Sequence, residues 1–159
     1  MASKKVEMQR WSRTFREREG RDLSADEIAS MLEANGWPMP KPKTPHEILA
    51  KQVSESQGEE VIYDDVLNES VPRNICYPVE SNGKQIMLWT DADAASRKKI
   101  EKNKTLRRDQ MVGDAYQTSL ILMRWNRLHP EEEPVQIDLD FGPDVEWRLN
   151  TPKAKKNAA

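Results

Sequence analysis

The sequence predicts an α+β fold: a helical N-terminal half, a β-hairpin, a long C-terminal helix and a short acidic strand. Three observations carry that expectation. Capping boxes at Ser24–Glu27 and Thr44–Glu47 start helices. Asn82-Gly83, set between alternating apolar residues, marks a two-residue hairpin. From Ala94 to Leu128 the spacing of apolar residues becomes helical and no proline interrupts it.

Met8, Trp11 and Phe15 recur at three and four residues among Lys4, Lys5, Arg10, Arg13, Arg16 and Arg18, which predicts an amphipathic helix over 4–19 with a basic outer face. A second helix starts at Ser24, whose hydroxyl can cap the Glu27 amide while the Glu27 carboxylate returns to the Ser24 amide. Leu23 can staple onto Ile28. Ile28, Met31 and Leu32 form its inner stripe, and Asn35-Gly36 ends it in the left-handed conformation that glycine tolerates. Alternate prolines then hold Trp37 to Lys43 extended, as a stiff spacer. Thr44 caps a third helix with Pro45 at its first position, and this helix is expected to turn Ile48, Leu49 and Val53 inward and stop at Gly58.

Beyond it the period becomes two. Val61, Ile62 and Tyr63 suggest a short strand, and 74–81 with 84–90 flank the hairpin turn. A two-residue loop pairs Ser81 with Lys84, Val79 with Ile86 and Tyr77 with Leu88, which puts the apolar residues of both strands on one face. Pro78 has no amide hydrogen, so its strand is an edge on that side. The long helix over 94–128 is interrupted in sequence only by Gly113. Its basic first half is expected to project into solvent, and its apolar second half to pack on the body or on a second chain. Val135 to Leu139 alternates as a last strand, 141–144 reads as a turn, and 151–159 as a disordered tail. The domain expectation is therefore 1–93 winged-helix-like, 94–150 the long helix with its acidic segment, and 151–159 the tail.

Composition narrows the functional classes. The 159 residues carry a formal charge of −2, with 33% charged and 36% hydrophobic residues. A nearly neutral chain has no global attraction to nucleic acid, so binding of that kind needs a local patch. The patch exists in the sequence: Arg97, Lys98, Lys99, Lys102, Lys104, Arg107 and Arg108 fall in one stretch with a single acid, Glu101, while 131–146 holds only acids among its charged residues. Cys76 is the only cysteine, which excludes an internal disulfide and fits a reducing compartment. No apolar stretch is long enough to span a bilayer. The chain is expected to be cytoplasmic, without a membrane partner.

Three helices followed by a hairpin is the order of a winged helix, a fold that sets one helix in the DNA major groove. On that reading the protein is a non-enzymatic DNA-binding regulator of transcription. Arg13, Arg16, Lys84, Arg97, Lys98, Lys102, Lys104, Arg107 and Arg108 would contact the phosphates of double-stranded DNA. The helix over 44–57 lacks the basic surplus that groove entry needs, and the 36–43 connection is longer than a standard helix-turn-helix turn. The alternative is a protein-interaction adaptor without nucleic acid. Val112, Tyr116, Leu120 and Met123 would then form a helix–helix seam, most simply in a homodimer whose acidic 131–146 stretch meets the partner's cations.

Trp11 and Trp125 lie between bases, in Arg10-Trp11-Ser12-Arg13 and Arg124-Trp125-Asn126-Arg127, an arrangement that serves base stacking or packing. A third reading, a metal-dependent nuclease, rests on Asp138 with Asp140 sharing one face of a strand; Asp64 with Asp65 and Asp91 with Asp93 are the other acid pairs. Asp91 and Asp93 also suit the positive end of the following helix. His46 and His129 stand without partner ligands in sequence, and no cofactor-binding motif is present.

Overall fold

A computed structural model describes residues 3–152. The fold is α+β, with five helices and two separate antiparallel hairpins: α1 Lys4–Glu19, α2 Ala25–Ala34, α3 Pro45–Glu59, β1 Val61–Asp64, β2 Glu69–Pro72, β3 Asn74–Ser81, β4 Lys84–Asp91, α4 Arg97–Leu128 and α5 Gly142–Asn150. The chain divides into two compact units, Met1–Ile48 and Leu49–Ala159. The segment 153–159, expected to be disordered, lies outside the described residues.

In the first unit the local signals operate as read. Ser24 Oγ accepts from the Glu27 amide at 3.1 Å, and Glu27 Oε2 accepts from the Ser24 amide at 2.8 Å. Arg21 Nη2 lies 2.6 Å from the other Glu27 oxygen. These bonds hold the Glu27 carboxyl down at about 2, the Arg21 hydrogen bond contributing most and the Ser24 amide next. Gly36, at φ 75°, closes α2 as the Trp37 amide returns to the Leu32 carbonyl. The small core joins α1 to α2: Phe15 is fully buried, with the Trp11 ring tilted against it at 5.4 Å between centroids, and Leu32 is buried on the facing helix. Trp37–Lys43 runs without regular structure, and Lys4 donates to the Pro38 carbonyl while lying over the Trp37 ring.

The inward stripe expected on α3 is not formed. Ile48, Leu49 and Val53 are each about half exposed, and no α3 side chain is buried. The helix also runs one residue past Gly58. Its end is held instead by polar contacts, as Asn74 Nδ2 donates to the Gln57 carbonyl and to Glu60, and the Trp89 ring lies beside Gly58, where an added methyl would meet it at an ordinary contact distance of 3.6 Å.

In the second unit β1 and β2 form a hairpin whose second strand lacks apolar alternation and was not anticipated. Asp64 Oδ1 accepts from the Val66 and Leu67 amides and closes its loop. The main hairpin has the register that the sequence gives: Ser81 faces Lys84, Val79 faces Ile86 and Tyr77 faces Leu88. Both turn residues have positive φ, Asn82 at 49° and Gly83 at 73°, as a type I′ turn needs. In this register Cys76 and Pro78 occupy non-hydrogen-bonded positions, so their carbonyls point away from β4 and the missing Pro78 amide leaves no gap in the ladder.

That outer edge of β3 is where α4 packs. Asn103 Nδ2 donates to the Cys76 carbonyl at 2.7 Å, and Lys102 Nζ donates to the Pro78 carbonyl at 3.4 Å. The Lys99 ammonium lies 5.5 Å from the centre of the Tyr77 ring, and Tyr77 is buried. The basic half of α4 therefore does not simply project into solvent. It seats the hairpin, because the unpaired strand edge calls for donors that asparagine and lysine supply. One strip of the apolar half is left open, and the hairpin's apolar face is covered mainly on β3: Tyr77 is buried, while Ile86 and Leu88 on β4 remain about 40% exposed.

Two further corrections concern the C-terminal segment. Val135–Leu139 is not a strand. It has no pairing strand and is held by one side chain: Asn126 donates to the Val135 carbonyl and accepts from the Val135 amide, both at 2.9 Å. The stretch read as a turn at 141–144 opens α5, with Pro143 in its first turn and Asp144 at its positive end.

Candidate interaction surface on the long helix

Gly113 does not break α4, which is continuous over 32 residues. A cation-rich first turn gives it an unusual electrostatic character. Ser96 is the N-cap but makes no side-chain cap bond, and no acid lies in the first turn, where Arg97, Lys98 and Lys99 stand at the positive end of the helix dipole. Asp91, expected there, is drawn away: its carboxylate accepts from the Asp93 amide and pairs with Arg73 at 3.4 Å. Arg73 also pairs with Glu60 at 3.8 Å, tying the two hairpins together. Each misplaced cation costs the helix about 0.3–1 kcal/mol, so the run works against the element that carries it.

The seven cations separate into groups. Lys99 and Lys102 are turned onto the hairpin. Arg97 pairs with Glu101 at 3.6 Å, and Lys104 also binds Glu101. Lys98, Arg107 and Arg108 make no ion pair among the described residues. The Glu101 pairs are exposed and therefore weak. A cleft of about 580 Å³ between β3, β4 and α4 is lined by Lys98 and Lys102, and also by Glu80, Glu101 and Asp109, so its field is mixed. Of the other cations read as phosphate contacts, Lys84 sits beside the hairpin turn, and Arg13 and Arg16 belong to the first unit on α1.

None of the acids between 131 and 146 is ion-paired among the described residues, so the acidic segment does not neutralise the cationic run of its own chain. Asp138 and Asp140 have another role. Each turns an oxygen onto the backbone amide two residues on, at 2.8 and 3.2 Å, which shapes the bend into α5. They do not share a strand face, and no group of three potential metal ligands occurs among the described residues. His129 stacks on Trp125, and its ring nitrogen lies 2.9 Å from the Trp125 carbonyl. Trp125 is thus engaged at the helix end.

The second half of α4 presents two neighbouring strips. Ala115, Ser119, Leu122 and Asn126 recur at four, three and four residues and are partly covered. Leu139 and Phe141 stand beside this strip and, with Arg108, Met111, Val112, Ala115, Tyr116 and Ser119, line a groove of about 530 Å³. Beside it run the four residues read as a seam, and none is covered: Val112 is 52% exposed, Tyr116 60%, Leu120 42% and Met123 68%. Asn126, Leu139 and Phe141 were missed by sequence reasoning. The clamp joins residues nine apart across a loop and has no periodic signature, whereas α5 could have been found from Pro143 followed by Asp144.

No protein-family model, curated protein or solved structure matches the chain. Among the described residues, no helix is long and apolar enough to cross a membrane.

Proposed function

We propose that the protein is a self-associating interaction module built on the second half of α4, and that a second copy of the chain covers the strip Val112, Tyr116, Leu120 and Met123. The exposure of that strip carries the reading: four large side chains at helical spacing stay wet while the covered face beside them already holds its own chain. Contiguous apolar area of this kind marks a partner site. Charge supports a like partner, because one chain carries both an acidic segment and the cations Lys98, Arg107 and Arg108, none of them ion-paired among the described residues. The replacement Leu120→Glu with Met123→Glu alters only exposed positions. It is expected to convert a dimer to a monomer in sedimentation with an unchanged helical circular dichroism signal. A wild-type chain that is monomeric at high micromolar concentration contradicts the reading.

A second reading, a cytoplasmic DNA-binding regulator with the β3–β4 hairpin as a wing, is favoured by one observation: among the described residues the acidic segment leaves Lys98, Arg107 and Arg108 without ion pairs, although Lys98 stands in the first helical turn, where a cation costs helix stability. Binding to random duplex would then fall steeply with salt and weaken when Arg107 and Arg108 become glutamine. Affinity indifferent to either change removes this reading and leaves the first untouched.

A further inference from the structure

The groove on α4 is hollow because its floor is made of small residues. Ala115 and Ser119 stand one turn apart, Met111, Val112 and Tyr116 rise beside them on the helix, and Leu139 and Phe141 close the far side, with Arg108 at one end. A knob of matching character lies on α5. Trp147 is 69% exposed, so it does not fill the groove of its own chain. On α5 it projects opposite Val145 and Leu149, with Asp144 one turn before it and Glu146 adjacent. Neither acid has an ion pair among the described residues.

We propose that two copies of the chain exchange α5, the indole of Trp147 from each entering the other's Ala115–Ser119 groove. Asp144 and Glu146 beside that indole meet Arg108 at the groove's end. This inference rests on the self-association reading and assigns its anchor. The occupant is a second copy because knob, groove and complementary charges all belong to one sequence, and a two-fold axis forms both contacts at once in a closed pair. An exposed indole entering a pocket floored by small residues, with opposite charges at its rim, is the usual composition of a dominant interface contact.

The test is the dimer dissociation constant of the full chain by sedimentation. Trp147→Ala is expected to weaken it at least tenfold, and Arg108→Glu to weaken it comparably. Combining Arg108→Glu with Glu146→Arg, which restores opposite charges across the contact, is expected to recover most of the loss, and this recovery separates a real contact from a damaged helix. An unchanged constant in Trp147→Ala, or no recovery in the charge-swapped pair, overturns the exchange. If Leu120→Glu with Met123→Glu still breaks the dimer in that case, self-association stands without it; a monomeric wild type defeats both.

Discussion

At the scale of single residues the structure depends on polar side chains that replace missing backbone partners. Glu27 is the most perturbed of them. Its carboxyl is held at about 2 against an ordinary value of 4.5, so it binds protons less readily folded than unfolded. The stability this provides is present above pH 4.5 and is lost as pH falls from there toward 2. An acid titration of helical circular dichroism should therefore show a loss in that window that Glu27→Gln flattens. Because the Arg21 pair is exposed, added salt should shrink the effect. Ser24→Ala removes the reciprocal cap and is expected to cost about 1 kcal/mol of stability. Asn126 is the second such residue. Asn126→Ala leaves the Val135 amide and carbonyl without their partner, and hydrogen exchange of residues 135–141 is expected to accelerate while that of β3 and β4 does not change. The Ser24 box was legible in the sequence because its bonds span three residues; the Asn126 clamp was not, because nothing local selects its partner.

At the scale of elements, α4 carries two features that pure helix stability would remove. Gly113 lies in the helix interior with open space where a Cβ would stand, so Gly113→Ala should raise stability by about 0.5–1 kcal/mol in thermal unfolding. Lys98 sits in the first turn without an ion pair among the described residues, and Lys98→Glu should also stabilise the helix, by about 0.5 kcal/mol, by suiting the dipole. The elements were largely legible. The Asn82-Gly83 turn fixed the main register because a two-residue loop allows only one pairing that keeps Tyr77, Val79, Ile86 and Leu88 on one face. Alternation misled at 135–139: an extended segment lying along a helix needs the same alternate apolar residues as a strand, and the free β3 edge was already taken by Lys102 and Asn103.

At the scale of the whole molecule, what holds the fold and what it offers to partners were not separable in sequence. The cationic run was read as a solvent-facing surface, yet part of it is a packing element, because a strand edge recruits donors and only the assembled unit shows which donors it takes. The apolar half of α4 was read as packing on the body or on a second chain, and its strip Val112, Tyr116, Leu120 and Met123 stays exposed. The buried apolar core of the described residues is Phe15, Leu32 and Tyr77, which leaves the long helix as the main reservoir of unburied apolar surface. The central claim is that a second copy covers it. Sedimentation equilibrium of the full chain over a range of concentrations tests this most directly. The account predicts a mass approaching twice 18.4 kDa, returning to the single-chain mass in Leu120→Glu with Met123→Glu; a single-chain mass for the wild type at every concentration would contradict it.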